Sequence, residues 1–227
     1  FLVNIAPHQQ QAVADYLAEH RLAASELYPM VRGRLVTRNG VPIADSLPPE
    51  ARDSNTLRRE LNLTWTATLP ANNVIVAGAW HGARPDAGAP GVAEISVEAG
   101  MAERLNLVLG DTLGFESGDQ LVSGRITSIR SVKWESMQPN FFVIFAPGTL
   151  DALPASAIAS VHVPPDATSL LPGLVRAFPG VTLLALDKLI ANIERVFAKI
   201  IAAIQLLLGF LLAAGMAVVV ATLLASL

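Results

Sequence analysis

The sequence predicts an α+β fold in which a split βαβ lobe is interrupted by a β-rich lobe and followed by a long helix. Both ends of the charged part of the chain have the pattern strand, helix, strand, and short strands separated by turns lie between them. Residues 200–227 then carry no charged side chain. The first lobe is predicted to comprise residues 1–43 and 140–186, and the inserted lobe residues 44–139.

The opening of the chain predicts a strand, a helix, a second strand and a hairpin. Residues 1–6 alternate apolar and polar side chains, as a half-buried strand does. Residues 9–20 space their apolar side chains for one face of a helix, and residues 28–37 have a second strand pattern. Asn39-Gly40 follows, and this pair is the strongest short hairpin signal because both residues tolerate positive φ.

The rest of the charged part predicts further strands, two short helices and two loops. Ser96 is placed to cap a helix that extends to Leu105. Residues 44–55 and 82–91 are rich in Pro, Asp, Gly or Ala and are expected to be loops. The remaining helix is predicted at residues 170–178. The predicted strands are residues 61–68, 74–77, 112–116, 121–132, 141–145, 156–163 and 181–186.

Residues 200–227 are predicted to be a transmembrane helix. About 20 apolar residues cover a hydrocarbon core roughly 30 Å thick, and this run is longer. A buried core helix is the alternative, although such helices usually keep a polar face. Because the sequence begins without Met and ends within or just after the apolar run, we expect it to be one segment of a larger membrane protein.

The residues before this run, 187–199, are amphipathic and are predicted to form a stalk that continues into the membrane helix. An apolar stripe on such a stalk needs a partner helix or another subunit; packing on its own domain is the alternative. The candidate coupling face of the stalk consists of Leu189, Ile193, Val196, Phe197 and Ile200.

Composition excludes several function classes. The net charge of −3 gives no sign of a nucleic-acid partner, and the absence of cysteine excludes thiol catalysis, disulfides and Cys-ligated zinc. The four histidines have no metal-ligand spacing, and the sequence has neither a phosphate-binding GxxxxGK[ST] loop nor a Gly-x-Ser-x-Gly nucleophile motif. We therefore expect no enzyme activity, cofactor or metal.

Two clusters mix charge with tryptophan, a composition found at binding surfaces. One is residues 58–65 and the other is residues 133–142. The alternative for each is a local salt bridge beside a partly buried tryptophan. The candidate residues for contact with a partner or ligand are Arg59, Trp65, Trp134 and Glu135.

These clusters also carry a resemblance that covers essentially the whole chain. The chain resembles the FtsX-like, MacB-type permeases of ABC transporters, and within them the YbbP-like group. RELNLTW and WESMQPNFF are the specific motifs, whereas the Leu-Gly-Asp turn is common among FtsX-like proteins. The residues that carry the likeness are Asn4-Ile5-Ala6, Tyr28-Pro29, Val31-Arg32, Arg34-Leu35, residues 59–65, residues 75–78, residues 109–112, residues 134–136, residues 139–141 and Phe178-Pro179.

The resemblance implies a location and a mechanism. The segment would be the second periplasmic domain and the following helix of a bacterial inner-membrane permease, with residues 1 to about 195 in the periplasm. The split βαβ lobe would be the family's porter-like lobe. The permease would couple ATP hydrolysis by a YbbA-like ATPase subunit to movement of its periplasmic domains through stalk helices. A periplasmic esterase of the lysophospholipase type and lipid-like or hydrophobic ester cargo are also implied.

Two other functions remain open. One is a membrane-anchored periplasmic binding or adaptor module that acts without an ATPase. The other is a membrane-anchored hydrolase, for which Glu98, Asp111 and His162 are the residues to test, although no nucleophile–base pair is recognisable in the sequence.

Overall fold

The computed structural model describes residues 1–47, 59–81, 92–185, 197–212, 215, 216 and 222. The chain divides into two compact units, Phe1–Leu183 and Leu184–Leu227. The first unit contains strands and short helices, and residues 197–212, 215, 216 and 222 of the second are helical. The mixed, sheet-rich fold class predicted from the sequence is therefore confirmed at this level.

Thirteen strands are described in the first unit. They are β1 Leu2–Ile5, β2 Ala23–Ala24, β3 Tyr28–Arg38, β4 Val41–Pro42, β5 Leu61–Trp65, β6 Asn73–Gly78, β7 Ala93–Glu98, β8 Thr112–Ser117, β9 Gln120–Val132, β10 Val143–Phe145, β11 Ser156–Ala159, β12 Val161–His162 and β13 Thr182–Leu183. The α-helices are α1 Gln10–Glu19, α2 Ile43–Ser46, α3 Ala99–Arg104 and α4 Leu171–Ala177, and the 3₁₀-helices are Pro7–Gln9, Trp134–Ser136 and Pro165–Leu170.

Eleven of these strands form one sheet. Its order is β13-β1-β11-β3-β5-β10-β7-β9-β6, with β4 paired to β3 and with β8 bridging β3 and β9. The pairs β5–β10 and β7–β9 are parallel, and the other pairs of this sheet are antiparallel. β2 and β12 pair separately. Long β3 therefore connects the β1–β11 end of the sheet to the strands that carry the tryptophan motifs.

The predicted hairpin after β3 is confirmed. Asn39 and Gly40 have φ values of 52° and 80°, and Thr37 pairs with Pro42 across the turn. Positive φ at both central residues is the geometry whose twist matches that of the flanking strands.

Two hydrophobic cores support the sheet. The smaller core packs α1 and α4 on the β1–β11 end, and its buried residues are Leu2, Ile5, Val13, Leu17, Leu22, Ala157, Leu174 and Val181. The larger core lies under β5, β7, β8, β9 and β10 and is centred on aromatic and branched side chains, among them Leu63, Ile95, Val97, Phe115 and Phe145.

The predicted helix cap at Ser96 is wrong. Ser96 is buried within β7, and α3 begins at Ala99 with Glu98 as its N-cap residue. The Glu98 carboxylate accepts hydrogen bonds from the amides of Gly100 at 2.8 Å and Met101 at 2.7 Å. A carboxylate with two oxygens satisfies two of the free N–H groups at a helix start, and its negative charge is favoured there.

A short helix, α2, replaces the start of the predicted loop at residues 44–55, of which residues 48–55 lie outside the described part. Ile43 at the beginning of α2 is buried in the larger core, so this turn is fixed by packing. The predicted loop at residues 82–91 also lies outside the described residues.

In the second unit, residues 197–212, 215, 216 and 222 are helical. Within the residues that the structure describes, no helix is long and apolar enough to span a membrane. Leu189, Ile193 and Val196 of the predicted coupling face lie outside the described residues, as do parts of the run 200–227. Phe197 and Ile200 belong to the helical stretch and are 59% and 49% exposed.

Candidate functional site

The two tryptophan motifs are brought together by the pairing of β5 with β10. These strands are parallel neighbours, with Leu63 opposite Val143 and Trp65 opposite Phe145. The ends of both motifs that precede these strands therefore lie at the same edge of the sheet. The two clusters are separate in the sequence, and the pairing of β5 with β10 makes them neighbours in the sheet.

An aromatic patch forms at this edge from Arg59, Trp134 and Phe142. The rings of Trp134 and Phe142 are 5.0 Å apart and tilted by 45°. The Arg59 guanidinium carbon lies 5.6 Å from the centre of the Phe142 ring, within the range of a cation–π contact. Trp134 remains 45% exposed. Phe142, which sequence reasoning did not single out, is the ring that connects the other two.

The other two predicted contact residues lie differently. Trp65 is half-buried in β5 and packs against the larger core, and Glu135 is exposed on the 3₁₀-helix beside Trp134. Their roles at a contact surface stay predictions.

The loop that carries Trp134, residues 133–142, is held by hydrogen bonds at its base. The Asn72 side-chain amide donates to Ser136 Oγ at 2.8 Å and to Asn140 Oδ1 at 2.6 Å. The Lys133 amide donates to the Asn72 carbonyl at 3.0 Å, and Asn140 Nδ2 donates back to the Lys133 carbonyl at 3.4 Å. Asn72 thus organises a loop more than 60 residues further along the chain.

Arg130 fixes the end of the same loop from inside the sheet. Its side chain lies in β9 and is fully buried. The guanidinium donates to the carbonyls of Phe141 and Phe142, and the Glu98 amide donates to the Phe142 carbonyl at 2.8 Å. Burial lowers the pKa of Arg130 to about 9, so the group stays charged at neutral pH.

An open cavity lies beside Met137 in the loop, between the loop and the two-stranded β2–β12 sheet. Its volume is about 330 Å³, and it is lined by Ala23, Ala24, Ser25, Met137, Gln138, Ser160, Val161 and His162. Met137 adopts a left-handed backbone conformation with φ of 54°, which is uncommon for residues other than Gly, Asn or Asp. Ser160 Oγ donates to Gln138 Oε1 at 3.2 Å across one side of the cavity.

The residues proposed for a hydrolase have other partners. Glu98 caps α3, as described above. Asp111 accepts from Arg38 at 2.7 Å, from Asn39 at 2.8 Å and from the Val108 amide at 3.0 Å. Burial alone would raise the pKa of Asp111, but these hydrogen bonds and the Arg38 charge outweigh it and hold the pKa below its usual value.

His162 is exposed on β12. Among the described residues, no group of three or more His, Asp or Glu side chains is arranged to hold a metal ion.

His81 is a buried titratable residue whose ring lies against Thr66, the residue that follows β5. It is 1% exposed, stacks on Trp80 at 4.0 Å, and its Nε2 lies 3.0 Å from the Thr66 carbonyl. Nδ1 has no hydrogen-bond partner in the described part of the chain. Burial lowers the pKa of His81 below 6.5, against the opposing effect of the Thr66 carbonyl.

The lowered pKa of His81 predicts a loss of stability in mild acid. As the pH falls below about 6.5, the unfolded chain takes up a proton at this site that the folded chain does not, so the free energy of unfolding decreases. The loss amounts to about 1.4 kcal/mol for each unit by which the folded pKa lies below the unfolded one. Urea unfolding of the chain in mild detergent at pH 7.5, 6.5 and 5.5 measures it. His81→Gln should flatten the profile, while His8→Gln, at an exposed site, should not; equal slopes in all three proteins contradict the assignment.

Comparison with known proteins supports the resemblance identified from the sequence. No protein-family profile matches the chain. Over 221 residues, which are 97% of its length, the chain is 37% identical to a protein described as the uncharacterized ABC transporter permease YbbP of Escherichia coli (strain K12). The chain spans 26% of that protein. Nearly the whole chain is therefore similar to about a quarter of a YbbP-like ABC transporter permease, which confirms the predicted relationship.

Proposed function

We propose that the chain is a periplasmic domain and the following membrane helix of an ABC transporter permease in a bacterial inner membrane. The observation that carries the proposal is the 37% identity to a permease across nearly the whole chain. The uncharged run at residues 200–227 supports a membrane helix, since its length exceeds what a hydrocarbon core needs. We propose no catalytic role for this segment, because Glu98 caps α3 and Asp111 forms an ion pair with Arg38.

The mechanism we propose is mechanical. ATP hydrolysis by a separate YbbA-like subunit would bias the stalk, and the stalk would move the periplasmic domain. Such coupling requires an element with two conformations, and the ATPase must shift the equilibrium between them. A lipid-like or hydrophobic ester cargo, handed to a periplasmic esterase, rests on the resemblance alone.

The aromatic patch of Arg59, Trp134 and Phe142 is proposed as the place where a partner or cargo contacts the domain. Tryptophan and arginine are the residues that most often dominate binding energies, and this tryptophan is held at the surface with nearly half of its area exposed. Trp65 and Glu135 would support and flank the patch.

Purification of the full-length parent protein from membranes tests the permease proposal. In mild detergent, an ATP-binding subunit should co-purify near a one-to-one ratio and be identified by mass spectrometry. An intact preparation without an ATPase would instead favour the membrane-anchored adaptor. A co-purified esterase would support the proposed cargo class.

A kink at the start of the predicted membrane helix, directly after the stalk, should separate ATP hydrolysis from transport. Ile201→Pro removes the backbone donor to the Phe197 carbonyl and places a ring against it; both residues lie in the described helical stretch. Proline costs about 3 kcal/mol in a helix interior and kinks it. We expect transport by the reconstituted full-length complex to fall at least about tenfold while ATPase activity persists, with Ile201→Leu as the matched control. Wild-type transport by a correctly assembled Ile201→Pro complex would rule out rigid coupling between the stalk and the membrane helix.

A further inference from the structure

We propose that Asn72 is a positioning residue that holds the loop of residues 133–142, here named the recognition loop, in one conformation for docking of a folded protein partner. This inference rests on the proposed contact role of the aromatic patch and assigns the partner class and the residue that pre-arranges it.

The Asn72 side chain is hydrogen-bonded both to the loop and to the first residue of β6. Its Nδ2 donates to Ser136 and Asn140, and its Oδ1 accepts from Asn73 Nδ2 at 3.0 Å. Asn73 is buried at the start of β6, so the amide of Asn72 is oriented from the sheet side. The recognition loop is therefore restrained by Asn72, the residue before β6, in addition to its internal hydrogen bond from Asn140 Nδ2 to the Lys133 carbonyl.

The loop is restrained without being covered. Trp134 and Met137 are 45% and 51% exposed, although the loop ends are bonded to Asn72 and Arg130. Met137 also has a left-handed conformation with φ of 54°, which residues with a side chain rarely adopt. Ordering of loops and side chains on binding normally weakens the affinity, because conformational entropy is lost. Here most of that ordering already exists in the free domain.

The surroundings of the loop favour a protein as the occupant. Exposed side chains of both signs flank Trp134, namely Arg59, Lys133 and Glu135, as in the polar rim of a protein interface. An anionic membrane surface would attract the two cations but repel Glu135. A small ligand needs an enclosed pocket, whereas Trp134 stands at an open surface.

The cavity beside Met137 adjoins the same loop. Among the residues that the structure describes, no Asp, Glu, Lys or Arg lines it, and its volume is about 330 Å³. It is therefore suited to an uncharged side chain of the partner, while Trp134 enters a pocket on the partner. Insertion of a side chain from each protein into a pocket of the other gives the close packing that is found at the centres of specific interfaces.

Photo-crosslinking in the full-length parent protein tests the proposal. Benzoylphenylalanine replaces Glu135 next to the patch or, as a control position, Leu121, which is 63% exposed on β9. After illumination of native membranes, adducts are identified by mass spectrometry. Position 135 should give a discrete protein adduct that position 121 does not give, and Trp134→Ala should abolish it.

The positioning role is tested in the same background with Asn72→Asp. This variant keeps the shape of Asn72 but replaces its donor group with a carboxylate oxygen, which repels Asn140 Oδ1, whereas the Ser136 hydroxyl can still bond by donating its own proton. Loss of one hydrogen bond of ordinary strength corresponds to about a fivefold change in the population of the ordered loop, so the adduct yield should fall about fivefold. Hydrogen exchange at residues 133–142 should accelerate, while exchange in β7 stays unchanged.

The outcomes separate the two proposals. An adduct at position 135 that survives Asn72→Asp, despite faster exchange in the loop, overturns the positioning role and leaves the contact patch intact. Absence of a protein adduct, or an adduct with lipid alone, overturns the contact patch and the inference with it. If Asn72→Asp also loosens β7, Ser136→Ala is used instead, because it removes one acceptor on the loop itself. An unchanged adduct yield in Ser136→Ala contradicts the proposal.

Discussion

Arg130→Ala is expected to lower the free energy of unfolding by about 3–5 kcal/mol. Arg130 is among the largest fully buried side chains of the described chain, so truncation leaves a cavity in the sheet. The Phe141 carbonyl loses the donor that the guanidinium provides, and a buried acceptor left unsatisfied costs about 1–3 kcal/mol. The Phe142 carbonyl also loses a guanidinium donor but keeps the hydrogen bond from the Glu98 amide. Urea unfolding of the chain in mild detergent, followed by tryptophan fluorescence, measures the loss.

Two further variants identify the cause. Arg125 lies in the same strand but is exposed, so Arg125→Ala should change stability by less than about 0.5 kcal/mol. Arg130→Met fills most of the volume and removes the buried charge, and it should fall between the wild type and Arg130→Ala. If Arg130→Ala were no more harmful than Arg125→Ala, the hydrogen bonds to the recognition loop would contribute nothing to stability.

The strand pattern of β9 shows how far local sequence determines this site. The alternation through Gly124, Ile126, Ser128 and Arg130 predicts that these residues share a face, and all four are buried. Nothing local indicates that the buried face accommodates a charged group, because the carbonyls that receive it belong to residues 11 and 12 positions further along. The periodicity is predictable from neighbours in the chain, whereas the tertiary partners are not.

The same distinction explains the candidate site. Arg59 and Trp134 were identified because each lies in a cluster of charge and tryptophan, which is a local signal. Their meeting on Phe142 depends on the parallel pairing of β5 with β10, two strands that are distant in the sequence. Asn72 gives no signal of this role, since an asparagine before a strand is normally a turn residue.

The helix cap illustrates a different kind of error. Ser96 is a better N-cap residue by type than Glu98, so residue preference alone favours a helix that begins too early. The pairing of β7 with both β10 and β9 extends the strand to Glu98, and the helix can begin only where that pairing ends. Tertiary pairing therefore overrides the local preference by two residues.

Gly78→Ala is expected to destabilise the chain by about 3 kcal/mol or more, for two separable reasons. Gly78 has φ of 75°, and a Cβ there would lie 2.1 Å from the Thr127 carbonyl oxygen, a backbone atom of the adjacent β9. Positive φ costs a side chain about 1–2 kcal/mol, and the overlap forces β6 away from β9 at a cost of about 1–3 kcal/mol.

Gly40→Ala separates these two effects. Gly40 has nearly the same φ, 80°, but nothing lies within 4 Å of its Cβ position, so this variant incurs the conformational cost alone, about 1–2 kcal/mol. The difference between the two variants in urea unfolding measures how closely β6 must approach β9. Because β6 begins directly after Asn72, displacement of this strand should also loosen the recognition loop, seen as faster hydrogen exchange at residues 133–142 in Gly78→Ala and not in Gly40→Ala. If both variants lowered the free energy of unfolding equally, β6 would be free to move. Asn72, which directly precedes β6, could not then hold the loop in one conformation.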